Sequence, residues 1–116
     1  MKDFKELEMW KRSHQLTLEI YKATQSFSKD ELFGLTSQIR RAVSSIPTNI
    51  AEGCGRRTNA ELANFLNIAF GSASEVEYEI LLAKDLGYIS VEQQGKWIRE
   101  VSEIRSMLAY MKALKG

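Results

Sequence analysis

The stretch QIRRAVSSIPTNIAEGCGRR, residues 38–57, decides the fold. Apolar and small residues recur along it every three or four positions, which is the spacing of one helix face. These residues are Ile39, Ala42, Ile46, Asn49 and Gly53. The pattern predicts an amphipathic helix over 36–55, followed by a glycine-flanked turn that carries two arginines.

The one proline of the chain, Pro47, lies in the middle of this helix. Pro47 has no N–H to bond the Val43 carbonyl, and its ring crowds that carbonyl. A new helix beginning at Pro47 would use Ile46 as its cap, and isoleucine caps helices poorly. We therefore predict one continuous helix that is kinked at Pro47, with Ser44 and Ser45 helping to satisfy the freed carbonyl.

Helical periodicity also covers residues 5–26, 59–86 and 91–114. Capping-box patterns at 58–61 and 90–93 mark the starts of the last two of these helices. No stretch alternates with the period of a strand for long enough to form one. Because the loops are short, successive helices are expected to be antiparallel neighbours. The sequence thus predicts an all-α fold, an antiparallel up-down-up-down four-helix bundle that forms a single domain of all 116 residues.

Five apolar residues need a place in such a bundle. Phe65, Phe70 and Tyr78 fall outside the main seam of the third helix, and self-association is the simplest way to cover them. The alternative is that the wide faces of the first and fourth helices cover them. Leu32 and Phe33, in the connector after the first helix, are expected to tuck under the end of the bundle.

Composition argues for an ordinary globular protein, with 44% hydrophobic and 27% charged residues and a net charge of +1. No strong overall charge draws it to nucleic acid or to a membrane. The N-terminus is charged from the start, and no apolar run reaches the ~18 residues of a membrane span. A lone cysteine, Cys54, suits a reducing compartment. We therefore expect a cytoplasmic protein without a membrane partner.

Two long motifs resemble a known family. They are QIRRAVSSIPTNIAEGCGRR at 38–57 and FLNIAFGSASEVEYEILLAKDLGYI at 65–89, with WKRSHQLTLEIY at 10–21 and ELFGL at 31–35 in support. Together they are similar to the small bacterial four-helix-bundle family of 23S rRNA-intervening-sequence proteins. The resemblance implies a ring-like homopentamer. That family is also similar to the accessory protein of diversity-generating retroelements, a pentameric bundle associated with reverse transcriptase and nucleic acid.

The second and third helices carry opposite net charges, and some of their charged residues lie at matching heights along the predicted hairpin. The stretch 36–57 carries four arginines against one glutamate, whereas 59–86 has a net charge of −4. If the two helices form a hairpin, Arg40 lies level with Glu75, and Glu79 lies one turn beyond. We therefore interpret Arg40, Arg41, Glu75 and Glu79 as interhelical or intersubunit ion pairs, in preference to phosphate contacts of the arginines.

The turn after the second helix is the candidate anion or nucleic-acid contact. Arg56 and Arg57 lie beside the start of the third helix, where free N–H groups and the helix dipole favour phosphate. Gly53 and Gly55 would let the backbone approach a ligand closely. The alternative is a solvated, positively charged turn. In a ring, five such turns would sum their phosphate contacts.

Metal and nucleophile chemistry are disfavoured. Glu52, Glu75, Glu77 and Glu79 suggest a carboxylate site, but a di-iron bundle needs two Glu-x-x-His motifs, and His14 is the one histidine. His14 and Cys54 lie about six residues apart along the helix axis, too far to form a catalytic pair. We expect His14 to be a partly buried seam residue bonded to a neighbour. No catalytic residue, metal or cofactor is therefore expected.

The leading interpretation is a non-enzymatic oligomeric scaffold that binds structured RNA or a ribonucleoprotein. A protein-binding adaptor without nucleic-acid contact is the alternative. An enzyme that completes its site from two subunits is a third, more distant class.

Overall fold

A computed structural model describes residues 3–115 of the chain. Its helices are α1 (Glu8–Thr24), α2 (Leu35–Cys54), α3 (Asn59–Asp85) and α4 (Val91–Lys115). Short 3-10 turns, Phe4–Glu6 and Lys29–Glu31, precede α1 and α2. No strand occurs within residues 3–115. The predicted all-α, four-helix fold is therefore confirmed, and α1 begins three residues later than expected because the 3-10 turn takes its place.

The starts of α3 and α4 follow the capping chemistry in the sequence. The Glu61 amide donates to the Thr58 hydroxyl at 3.1 Å, and the Gln93 amide donates to the Ser90 hydroxyl at 3.0 Å. Each bond satisfies one of the amides that a helix start leaves free. After α3 the chain turns at Gly87, whose φ of +84° is a backbone conformation that glycine adopts without strain.

The α2 helix runs without interruption across Pro47. The Val43 carbonyl, which loses its usual donor there, accepts a hydrogen bond from the Thr17 hydroxyl of α1 at 3.2 Å. The same hydroxyl lies 2.7 Å from the Ser13 carbonyl, so one hydrogen faces two acceptors in a buried site. A neighbouring helix thus compensates for the proline. The kink itself stays a prediction.

The expected help from Ser44 and Ser45 is wrong. The Ser44 hydroxyl donates to the Arg41 carbonyl at 3.2 Å, two residues before the freed carbonyl of Val43. Ser45 faces α3 instead, with its hydroxyl 2.9 Å from that of Ser72 and 2.9 Å from the Asn49 amide nitrogen. These three side chains form a small polar seam between α2 and α3, which fixes the relative height of the two helices.

Side-chain contacts define how neighbouring helices run. They join Thr17 to Val43, Ser45 to Ser72, Arg105 to Ser74, Lys112 to Asn67, Arg12 to Glu100 and Trp97 to Glu19. Across α1 and α4, and across α3 and α4, residue numbers rise along one helix as they fall along the other. A core of aliphatic side chains and Trp97 lies between the four helices.

Two connectors, residues 25–34 between α1 and α2 and residues 86–90 between α3 and α4, meet at one end of the bundle. We call this end the connector end. There the rings of Phe27 and Tyr88 stack with centroids 4.9 Å apart, over a small cluster with Leu35 and Ala83. The prediction that Leu32 and Phe33 tuck under this end is wrong. Phe33 is 93% exposed and Leu32 is half exposed, because Phe27 and Tyr88 already close the core at this end.

Candidate functional site

The turn between α2 and α3 keeps three of its four predicted contact residues at the surface. Gly55, Arg56 and Arg57 are exposed. Gly53 is buried, and a Cβ there would lie 3.0 Å from Leu62 Cδ1. The role of Gly53 is therefore close packing of α2 on α3 rather than approach to a ligand. Any anion site at this turn would rest on Gly55 and the two arginines.

The two arginines of the turn have different surroundings. The Arg56 guanidinium lies 4.8 Å from the centroid of the Phe65 ring, and its Nη2 atom is 3.7 Å from the Glu52 carboxylate. Arg56 is thereby held on the outer face of the α2–α3 hairpin while its side chain stays partly exposed. Within residues 3–115, no carboxylate lies within 4.0 Å of the Arg57 guanidinium. Arg57 is therefore the arginine of this turn that forms no ion pair in the described chain.

Arg40 turns toward α1 rather than α3. Its Nε donates to the Thr24 hydroxyl at 2.8 Å, its Nη2 donates to the Tyr21 carbonyl at 3.2 Å, and its guanidinium lies 5.0 Å from the Tyr21 ring centroid. These groups are the last turn of α1, where free carbonyls attract a cation. The prediction of an interhelical pair between Arg40 and Glu75 is therefore wrong within one chain.

Arg41, Glu75 and Glu79 lie together but do not pair. Glu79 is 3% exposed, and its Oε1 atom has no hydrogen-bond partner within residues 3–115. Burial, together with the charge and hydrogen bond of Glu75, raises the pKa of Glu79 to about 7, and the charge of Arg41 acts in the opposite direction. In the described chain no arginine or lysine nitrogen comes within 4.0 Å of either carboxylate. The expected interhelical pairs are thus absent here, and intersubunit pairs stay a prediction.

The three aromatic residues predicted for self-association differ in exposure. Phe65 is partly covered by Arg56, and Phe70 packs against the main core, with the Arg105 guanidinium 5.9 Å from its ring centroid. Tyr78 is 62% exposed. Tyr78 alone therefore presents a large free surface.

Most of the exposed apolar surface lies outside the residues that the sequence pattern predicts for self-association. Eight of the eleven large apolar residues that the described chain exposes lie in the half nearest the connector end: Leu18, Tyr21, Leu32, Phe33, Tyr78, Leu81, Leu86 and Val91. Scattered exposed apolar residues are normal, but their concentration at one end marks a candidate interaction surface. An indication of this surface in the sequence is the apolar pair Leu32 and Phe33 beside Gly34. Such a pair is too short to form a helix face and so has no place in the core assigned by the helix pattern.

A second missed feature joins α1 to α4. Arg12 donates from Nε and Nη2 to the Glu100 carboxylate at 2.8 and 2.9 Å, and from Nη1 to Glu103 at 2.9 Å. The hydrogen bonds raise the pKa of Arg12 and lower that of Glu100. Helix spacing alone does not reveal this fork, because α1 and α4 are distant in sequence. Its geometry fixes the position of α1 on α4.

Cys54 and His14 occupy separate grooves. The Cys54 thiol is buried beside a cavity of about 300 Å³ that Leu7 and Leu62 line, and burial raises its pKa. His14 is exposed and stacks on the Trp10 indole with centroids 4.8 Å apart, so the expectation of a bonded seam residue is wrong. A buried thiol with a raised pKa that shares no groove with the imidazole is a poor nucleophile.

Metal sites and membrane-spanning helices are both absent from the described residues. Among residues 3–115, no group of three or more histidine, cysteine or acidic side chains is placed to hold a metal ion. None of the helices in that range is both long enough and apolar enough to cross a membrane.

Comparison with known proteins identifies the family. A family model described as 23S rRNA-intervening sequence protein matches residues 5–110. A solved structure from Bacteroides thetaiotaomicron, described as a protein with unknown function from the S23 ribosomal protein family, has a similar fold with a TM-score of 0.83. It is 27% identical, and the alignment covers 90% of this chain and 95% of that one. A search of curated proteins finds no match. The family model covers most of the sequence, so the chain belongs to the 23S rRNA-intervening sequence protein family.

Proposed function

We propose that this protein is a non-enzymatic scaffold that acts as a homo-oligomer, a ring of five copies in the cytoplasm. The observation that carries the proposal is the exposed apolar surface at the connector end, where Phe33 is 93% exposed. Exposed apolar surface concentrated in this way is typical of protein interfaces. The number of copies comes from the family resemblance, and the unpaired thiol of Cys54 favours a reducing compartment.

The environment of the reactive side chains supports a non-catalytic role. Cys54 is buried with a raised pKa, and its thiol is separated from His14 by their positions in different grooves. The buried Glu79 has a pKa near that of a general acid or base, but it faces Glu75 and Arg41 rather than a cleft lined by further functional groups. The chemistry at hand therefore favours binding over catalysis.

The ligand that we propose for the scaffold is structured RNA or a ribonucleoprotein. Arg56 and Arg57 are exposed at the α2–α3 turn, and Arg57 is free of any carboxylate within 4.0 Å in the described chain. A ring would carry five such turns, and phosphate contacts summed over subunits would give useful affinity. A protein-binding adaptor is the second candidate, which the exposed apolar side chains of the connector end favour if the ring leaves them free.

A salt titration with a structured fragment of 23S ribosomal RNA tests the RNA part. The wild-type protein should bind at low salt, with log K falling by about 0.7 to 0.9 per phosphate contact for each unit of log salt. Arg56→Gln combined with Arg57→Gln should weaken binding and flatten that slope. Lys22→Gln combined with Arg99→Gln removes two exposed charges elsewhere and serves as the control.

Two results would contradict RNA binding at this turn. One is a wild-type protein that does not bind the fragment at low salt, which would favour the adaptor. The other is an unchanged salt slope in the variant without Arg56 and Arg57. Circular dichroism of each variant confirms that the helices are intact before binding is compared.

A further inference from the structure

Two outer helix surfaces carry complementary groups that the described chain leaves unpaired. The first, which we call the α2 surface, consists of Phe33, Ser37 and Arg41, beside a groove of about 420 Å³. The second, the α3 surface, consists of Glu75, Tyr78 and Leu86, all exposed. One surface offers a cation and an apolar ring, and the other offers a carboxylate and apolar side chains.

The charged groups of both surfaces form no salt bridge among residues 3–115. Arg41 is exposed, and neither Glu75 nor Glu79 has a cation within 4.0 Å in residues 3–115. Beside Glu75 lies the Oε1 atom of Glu79, which is buried and accepts no hydrogen bond in that range. A buried carboxylate oxygen without a donor is uncommon in a native fold. A guanidinium arriving from a second molecule would supply a cation to the exposed Glu75 carboxylate.

The heights of the two surfaces match along the bundle. The bond between Ser45 and Ser72 sets the register, and residue numbers of level positions in the antiparallel hairpin then sum to about 117. Arg41 is therefore level with the segment from Glu75 to Tyr78, within about one helical turn. Phe33, just before α2, and Leu86, just after α3, both lie at the connector end of the bundle.

This match constrains the kind of contact. A contact in which only the α2 surface of one copy meets the α3 surface of the next is head-to-tail, and such a contact closes into a ring if its rotation does. They lie on neighbouring helices, which makes successive copies turn around an axis. Because the complementary groups have equal heights, the contact needs no shift along the bundle, and a shift would instead build a helical filament.

We propose that the α2 surface of one copy docks on the α3 surface of the next, with Arg41 against Glu75 and Phe33 against Leu86. This inference rests on the proposed homo-oligomer and names its interface. The partner is a second copy of this chain, because the chain itself supplies both halves of the contact at the same height.

Charge reversal and rescue test the interface. Arg41→Glu should reduce the oligomer to a single chain of 13.2 kDa by sedimentation equilibrium, and Phe33→Ser should do the same. Arg41→Glu combined with Glu75→Arg should restore the oligomer, because the swapped charges still attract. Arg99→Glu and Tyr110→Ser change exposed residues of α4 and should leave the mass unchanged.

Cross-linking separates a contact between copies from one within a copy. Two proteins are mixed, both with Cys54→Ala, one carrying Arg41→Cys and the other carrying Glu75→Cys and a mass tag. Oxidation should produce disulfide-linked pairs of one tagged and one untagged chain.

The failures are distinguishable. If the wild-type protein sediments as a single chain, the proposed oligomer is wrong and the interface falls with it. If the wild-type protein is an oligomer but the Arg41 and Phe33 variants retain its mass and no mixed disulfide forms, only the interface is wrong.

Discussion

The buried carboxyl group of Glu79 makes the stability of this protein depend on pH. Its pKa is raised from 4.5 to about 7, first by burial and then by the neighbouring Glu75. Between these two pH values the folded chain holds a proton at Glu79 that the unfolded chain has released. The stabilisation is therefore fully present below pH 4.5 and is lost as the pH rises through 7.

The size of the effect follows from the shift in pKa. The rise of the pKa from 4.5 to about 7, at about 1.4 kcal/mol for each unit of pKa, sets an upper limit of roughly 3 to 4 kcal/mol on the unfolding free energy that depends on this proton. Glu79→Gln replaces the acid by a neutral group of the same shape. The variant should match the wild-type protein at pH 4.5 to 5 and exceed its unfolding free energy by up to about 3 kcal/mol at pH 8.5.

Urea unfolding followed by circular dichroism at 222 nm measures this difference. Protein concentration is held constant across the series, because self-association would add its own stabilisation. Glu92→Gln, at an exposed position at the start of α4, is the control and should differ from the wild-type protein by nearly the same amount at every pH. The reasoning is refuted if the Glu79→Gln protein and the wild-type protein differ equally at pH 5 and pH 8.5.

Three further substitutions test the packing of the bundle by urea unfolding. Thr17→Val removes the hydroxyl that bonds the Val43 carbonyl and should lower the unfolding free energy by about 1 to 3 kcal/mol. Thr17→Ser keeps a hydroxyl and should lower it less, so equal losses in the two variants would contradict the hydrogen bond. Gly53→Ala should destabilise by about 1 to 3 kcal/mol because its Cβ has no room, while Gly71→Ala, with open space, should stabilise by about 0.5 to 1 kcal/mol. A double-mutant cycle of Arg12→Ala and Glu100→Ala should give a coupling of about 1 kcal/mol that shrinks in high salt, and zero coupling would count against the bidentate geometry.

Local patterns in the sequence were enough for the helices and their caps. The periodicity of apolar residues depends on neighbours three and four positions away, and the Thr58 and Ser90 caps are set within four residues. Such local patterns do not predict contacts between residues that are distant in sequence. The Thr17 hydroxyl reaches the carbonyl freed by Pro47 from another helix, 26 residues earlier than Val43.

Counting residues along the predicted hairpin gives the height of a side chain on its helix but not the direction in which it points. Arg40 and Arg41 differ by one residue and so point about 100° apart around the helix. Arg40 consequently faces Tyr21 of α1, and Arg41 is the cation that acts on Glu79. Of the two arginines predicted to pair with α3, only Arg41 thus lies near Glu79, and intersubunit pairs stay a prediction. The free position of Phe33 depends on how the two connectors pack, which no local pattern encodes.

The mass of the protein in solution tests the central claim most directly. Sedimentation equilibrium at pH 7.5, over a range of micromolar concentrations, gives that mass without reference to shape. We predict a species of five times 13.2 kDa, about 66 kDa, that persists on dilution. A mass of 13.2 kDa at every concentration would contradict the account, because Phe33 and its exposed neighbours at the connector end would then have no second copy to cover them.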